Sequence, residues 1–85
     1  MKDRIAVVTG ATSGIGRATG LKFLRDGTSV FAVGRDRNAL DSLKKESESL
    51  PGSLLTHEAD LTAEMAVPDA VSACMDHFKR IDVLV

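Results

Sequence analysis

The sequence has 85 residues, of which 44% are hydrophobic, and its formal net charge at pH 7 is −1. A nearly neutral chain lacks the basic surface typical of nucleic-acid binding, and no apolar run approaches the length of a membrane span. The N-terminus leads directly into a strand, which argues against a signal peptide. The single cysteine cannot form an internal disulfide, and no Cys/His cluster has zinc spacing, so we expect a reducing, cytoplasmic setting.

The first elements in the chain are a strand, a glycine turn and a helix. Residues 4–8 are apolar after Arg4, as expected for a parallel strand covered on both faces. A helix is predicted from Gly14 or Ile15 to Asp26, with Gly27 as its C-terminal stop. Gly20 costs this helix about 1 kcal/mol relative to Ala, which close packing against the sheet would explain.

The glycines of the turn have distinct expected roles. Gly10 ends the strand in a turn that favours glycine, and Gly14 lets the backbone approach a bound group. Gly16 allows the first helical turn to lie close to the strand. The N–H groups of Gly14, Ile15 and Gly16 lie at the positive end of the helix dipole and predict a phosphate site. The alternative is a glycine-rich turn without a ligand.

Strands and helices continue to alternate along the rest of the chain. A second strand is predicted over Ser29–Val33, and a helix capped by Asp36 or Asn38 follows and ends before Pro51. A third strand lies within residues 53–59, at the expected edge of the sheet. This alternation predicts right-handed crossovers and an α/β fold with a parallel sheet.

The third helix is harder to place because Pro68 does not fit a helix interior. We interpret residues 62–67 as a loose first turn and Pro68 as the start of the regular helix. Helical spacing predicts one apolar face, made of Val67, Val71, Cys74 and Phe78. The helix ends at Lys79-Arg80, and a fourth strand begins in residues 81–85.

Thr9 and the spacing G-x-x-x-G-x-G of residues 10–16 resemble the cofactor loop of the short-chain dehydrogenase/reductase family, and the resemblance extends from Arg4 to Val85. It implies a Rossmann-like doubly wound parallel sheet, of which this chain is the N-terminal half with strand order 3-2-1-4. Residues 1–85 would then be the N-terminal part of a single NAD(P)-binding Rossmann domain, ending inside the fourth strand.

The resemblance also implies an activity for the intact enzyme. Family members transfer a hydride between a nicotinamide and a carbonyl or alcohol substrate, and we expect a homo-oligomer at full length. Their catalytic Ser and Tyr-x-x-x-Lys lie further downstream, and this chain contains no tyrosine. We therefore expect no catalytic residue among these 85 residues and no activity from them alone.

The cofactor-binding residues implied by the motif fall into three groups. The loop supplies Gly10, Thr12, Ser13, Gly14, Ile15 and Gly16. Arg35 lies near the offset at which this fold reads the adenosine ribose, and its guanidinium suits a 2′-phosphate, with Ser13 as a further donor. Asp60 and Leu61 match the family's pair that contacts adenine. We therefore predict NADP(H), with NAD(H) as second choice.

Several alternatives remain open from the sequence. Arg35 also fits an ordinary surface arginine, and a small change in the turn would present Asp36, a carboxylate, to the ribose. Asp60 also fits a helix cap. A methyltransferase would favour a carboxylate after the second strand, which Gly34-Arg35 argues against. A non-catalytic nucleotide-binding or regulatory module is the other rival. We expect no ligand role for His57, only a weak helix-dipole interaction for His77, and a packing role for Cys74.

Overall fold

The structure, a computed structural model, describes residues 4–12, 14–60 and 66–85. Its strands are β1 (Ile5–Thr9), β2 (Ser29–Gly34), β3 (Leu54–Glu58) and β4 (Val83–Leu84). Its helices are α1 (Gly14–Arg25), α2 (Arg37–Ser47) and α3 (Ala66–Phe78). All strand pairs are parallel, in the order β3-β2-β1-β4. The predicted doubly wound arrangement is therefore confirmed, with β3 at an edge.

The two central strands, β1 and β2, are buried on both faces, which explains their continuous apolar runs. Neighbouring residues of a strand point to opposite faces, so each strand contributes to two apolar clusters. One cluster joins β1, β2 and β3 to α1 and α2; its buried members include Val8, Val30, Ala32, Leu24, Leu40 and Leu43. The other joins the sheet to α3; its buried members include Val7, Phe31, Val33, Ala70 and Cys74.

The predicted boundary and apolar face of α3 need correction. Ala66 and Val67 are already helical, so Pro68 is the third residue of α3 and not its first. Proline is tolerated there because its missing N–H would be unsatisfied in the first turn anyway. Val67 is 52% exposed, contrary to prediction, because Ala70, Ala73 and Cys74 face the sheet. The rest of the predicted loose turn, residues 62–65, lies outside the described residues.

Gly20 is buried in α1, but not for the expected reason. A Cβ atom added at Gly20 would meet no atom within 4 Å. Close packing against the sheet therefore does not explain this glycine, and that interpretation is wrong. Gly27, by contrast, ends α1 as expected, with a φ of +87° that favours glycine.

The first strand is joined to the last through the side chain of Asp82. Its carboxylate accepts from the backbone N–H of Ile5 at 2.8 Å and from Nη2 of Arg80 at 2.6 Å. The bond from Arg80, followed by the bond from Ile5, lowers the pKa of Asp82 below its ordinary value of 3.8. The ionised side chain thus secures the start of β1, the strand that leads to the glycine loop.

Candidate nucleotide-binding site

The loop between β1 and α1 is held on both sides by backbone hydrogen bonds. The N–H of Ala11 donates to the carbonyl oxygen of Val33 in β2 at 3.1 Å. On the other side, the N–H and the hydroxyl of Thr9 donate to the carbonyl oxygen of Val85, at 2.9 and 2.8 Å. Gly10 lies between these anchors with a φ of +61°, which residues with a Cβ rarely adopt. The sheet thus fixes where the loop leaves β1.

The first turn of α1 lies directly on this loop. A Cβ atom at Gly16 would fall 2.1 Å from the carbonyl oxygen of Gly10, so the close approach predicted for Gly16 is present. Gly14 differs from Gly16 because a Cβ atom added there meets nothing within 4 Å. The chain at Gly14 therefore faces open space, where a ligand could approach the backbone.

The N-terminal end of α1 has the chemistry of an anion site. Gly14, Ile15 and Gly16 are its first residues, and their N–H groups have no acceptor within the helix. Ile15 is 86% exposed, and the first turn contains no acidic side chain that would compete for these donors. The helix dipole adds a partial positive charge. A phosphate group fits this set of donors.

A contact between the loop and β2 was missed by the sequence analysis. A Cβ atom at Gly34 would lie 2.7 Å from Cγ2 and 3.2 Å from Oγ1 of Thr12. Thr12, one of the predicted site residues, is half-buried against the end of β2. Gly34 is therefore needed for close approach, and no feature of the sequence separates this role from a simple strand end.

The two charged side chains of the turn after β2 differ in their contacts. Oδ1 of Asp36 accepts from the N–H of Asn38 at 2.9 Å and from the N–H of Ala39 at 3.2 Å. Asp36, and not Asn38, is thus the N-cap of α2. Arg35 is exposed and makes no hydrogen bond or ion pair with any described residue.

The guanidinium of Arg37 is engaged, unlike that of Arg35. Its Nε lies 3.3 Å from Oε1 of Glu58, and its Nη1 lies 3.3 Å from Oγ1 of Thr56. A third partner, Oδ1 of Asp41, is 3.7 Å from Nη1. These contacts fasten the start of α2 to the end of β3. They went unnoticed in the sequence because Arg37 and Glu58 are 21 residues apart.

The parallel strands bring the three predicted groups to one edge of the sheet. The glycine loop, Arg35 and Asp60 follow β1, β2 and β3 respectively, and these strands are neighbours in the sheet. Asp60 is exposed two residues after Glu58. The other two predicted residues, Ser13 and Leu61, lie outside the described residues.

The remaining candidate side chains have packing environments. Cys74 is fully buried, and its burial raises the pKa of the thiol, which disfavours the reactive thiolate. The ring of His57 lies 5.5 Å from that of Phe31. In the described part of the chain, no three His, Cys, Asp or Glu side chains are grouped to hold a metal ion. None of the helices described there has the length and hydropathy to cross a membrane.

Known proteins resemble this chain over nearly all of its length. The 3-oxoacyl-(acyl-carrier-protein) reductase of Thermotoga maritima is 38% identical over 85 residues, which are 100% of this chain and 35% of the reductase. The chain thus spans about a third of the length of the curated relatives it matches.

Two solved structures with bound cofactors are also similar. A metagenomic short-chain oxidoreductase in complex with NADP has a TM-score of 0.92 at 31% identity, covering 99% of this chain and 38% of its own. L-Sorbose reductase from Gluconobacter frateurii, complexed with NADPH and L-sorbose, has a TM-score of 0.92 at 26% identity, covering 99% and 32%.

The family comparison covers both the loop and the sheet. The family model described as short chain dehydrogenase matches residues 4–85, which include the glycine loop and all four strands. Sequence motif, strand order and similarity to known proteins agree over the same residues, and the chain therefore belongs to the short-chain dehydrogenase family.

Proposed function

We propose that this chain is the NADP(H)-binding part of an oxidoreductase that transfers a hydride between the nicotinamide and a carbonyl or alcohol substrate. The observation that carries the cofactor choice is the different state of Arg35 and Asp36. Arg35 has no partner among the described residues, whereas the Asp36 carboxylate is occupied by two backbone N–H groups of α2.

The state of Asp36 matters because a carboxylate after β2 would favour NAD(H). It would accept from the ribose 2′-hydroxyl and repel a 2′-phosphate. Turning Asp36 toward the ribose would break its N-cap bonds, and loss of such a cap costs about 0.5–2 kcal/mol. The cap therefore favours a turn in which the exposed Arg35 guanidinium meets the ribose, and a guanidinium suits a phosphate.

The loop residues fit the rest of the dinucleotide. The N–H groups of Gly14, Ile15 and Gly16 would hold the pyrophosphate, since they are donors at a helix N-terminus that have no acceptor within the helix. Thr12, which lies against Gly34, would hold the loop at the end of β2. Asp60 with Leu61 would contact the adenine. The bound cofactor supplies the hydride chemistry, while these residues bind and orient it. NADP and NADPH in the two similar structures support the same choice.

The test is a comparison of NADPH and NADH affinities in the intact protein by fluorescence titration. NADPH is expected to bind more tightly, and Arg35→Ala is expected to remove most of that preference. The loss of a charge-assisted contact to phosphate costs about 1.5–3 kcal/mol, or about 10- to 150-fold in affinity. NADH affinity should stay nearly constant, because NADH lacks the 2′-phosphate.

A matched control removes the same charge elsewhere. Arg25 is exposed in the last turn of α1, at the opposite end of that helix from the glycine loop. Arg25→Ala should leave the ratio of the two affinities unchanged. Equal affinities for NADPH and NADH in the unsubstituted protein would contradict the assignment and favour an NAD(H)-preferring dehydrogenase. Binding of neither cofactor would favour a module with another ligand.

A further inference from the structure

Charged side chains are concentrated at the turn between β2 and α2, and carboxylates outnumber cations there. Asp36, Asp41 and Glu58 supply three carboxylates, while Arg35 and Arg37 supply two guanidiniums. A cofactor with a 2′-phosphate brings further negative charge to this place. The balance of charge around the turn should therefore influence which dinucleotide binds.

The register of the sheet places Glu58 beside Gly34, the residue that precedes Arg35. Glu58 is the register partner of Gly34, and the N–H of Ala59 donates to the carbonyl oxygen of Gly34 at 2.9 Å. Adjacent strands are about 4.8 Å apart. Since Arg35 directly follows Gly34, an unpaired carboxylate at Glu58 would compete with the phosphate for its guanidinium.

In the structure Glu58 is paired with Arg37. The Nε of Arg37 is 3.3 Å from Oε1 of Glu58, and its Nη1 is 3.7 Å from Oδ1 of Asp41. The additional bond to Oγ1 of Thr56, at 3.3 Å, fixes the guanidinium against β3. Two of the three carboxylates thus pair with one guanidinium, whose single positive charge offsets one of their two negative charges. The third, Asp36, is held by the N-cap bonds.

We propose that Arg37 is a positioning residue for the choice of cofactor. By pairing with Glu58 and Asp41 it leaves Arg35 as the guanidinium available to the 2′-phosphate. This inference rests on the proposed binding of NADP(H). The proposal gives Arg37 no direct contact with the cofactor, because its Nε and Nη1 are directed to side chains of β3 and α2.

The test is the affinity for NADPH and NADH in a set of charge variants of the intact protein. Arg37→Ala should weaken NADPH binding about fivefold at low salt, as the exposure of these pairs allows only a modest effect. NADH affinity should change by less than about twofold, since NADH has no 2′-phosphate to be repelled. At about 1 M salt the NADPH effect should largely vanish.

A double variant distinguishes positioning from direct contact or loss of structure. Glu58→Gln in the Arg37→Ala background removes, at nearly constant shape, the freed charge that lay closer to Arg37, and should restore most of the NADPH affinity, since the Asp41 pair is the longer one. Arg37→Lys should also retain most of it, because it keeps the cation. An Arg37 that bound the phosphate directly, or one needed only for folding, would give no recovery with Glu58→Gln.

The result for Arg35→Ala distinguishes an error in the proposed cofactor from an error in the role of Arg37. If Arg35→Ala leaves NADPH affinity unchanged, the proposed cofactor assignment is wrong. If Arg35→Ala weakens NADPH binding but Arg37→Ala does not, the role assigned to Arg37 alone is overturned. The role of Arg37 is also overturned if Arg37→Ala weakens the binding of NADPH and NADH equally, or if Glu58→Gln does not restore NADPH binding.

Discussion

Substitution by alanine should change the free energy of unfolding in opposite directions at two glycines of α1, Gly20 and Gly16. Gly20→Ala places a methyl group where no atom lies within 4 Å, so it creates no steric conflict. Alanine also favours the helix and restricts the unfolded chain, which together amount to about 1 kcal/mol in a helix interior. The free energy of unfolding of Gly20→Ala should therefore rise by about 1 kcal/mol.

Gly16→Ala is the matched comparison in the same helix. Its Cβ atom would lie 2.1 Å from the carbonyl oxygen and 2.7 Å from the carbonyl carbon of Gly10. These are backbone atoms, so either the loop or the helix must move. Overpacking costs about 1–3 kcal/mol or more, which exceeds the helix gain of about 1 kcal/mol. Gly16→Ala should be destabilised, and its cofactor affinity should fall with the displaced loop.

The assay is guanidinium chloride unfolding of the intact protein, followed by circular dichroism. The midpoint should move up for Gly20→Ala and down for Gly16→Ala at an unchanged slope. A decrease of more than about 0.5 kcal/mol for Gly20→Ala would refute the reasoning, because it exceeds the effect of a neutral substitution. It would mean that Gly20 does pack closely against another part of the protein.

Two further predictions concern the ligand loop and the start of β1. Gly14→Val should abolish NADPH binding in a titration, because the side chain enters open space on the ligand side and valine is strained at the φ of +24° found there. Circular dichroism should stay nearly unchanged, since both effects are confined to the loop; normal binding would show that the backbone does not approach the phosphates. Asp82, with its lowered pKa, stabilises the fold fully above pH 3.8 and loses that effect as the pH falls further toward the folded-state pKa. The stability difference between the unsubstituted protein and Asp82→Asn should therefore shrink in acid, and a pH-independent difference in unfolding midpoint would contradict this role.

Local sequence signals determined the architecture of this chain. The apolar runs of residues 5–8 and 30–33, the glycine spacing of residues 10–16 and the stop at Gly27 predicted β1, α1 and β2 to within two residues. These signals are short-range, because strand burial, helix termination and positive φ depend on neighbouring residues. The alternation of strands and helices, together with the family resemblance, then predicted the order 3-2-1-4 that the sheet has.

Contacts between distant residues decided the rest. The sheet-facing side of α3 is set by its packing on β1 and β2, which is why periodicity alone misplaced Val67. Two contacts join residues far apart in the chain: the approach of Thr12 to Gly34 and the pairing of Arg37 with Glu58. The open space next to Gly20 also depends on how the folded elements pack. The occupied Asp36 carboxylate and the unpartnered Arg35 guanidinium follow from the same turn geometry. Residue types alone left both side chains as candidates for contact with the ribose. Only the folded turn decides which of the two side chains is already hydrogen-bonded to the backbone.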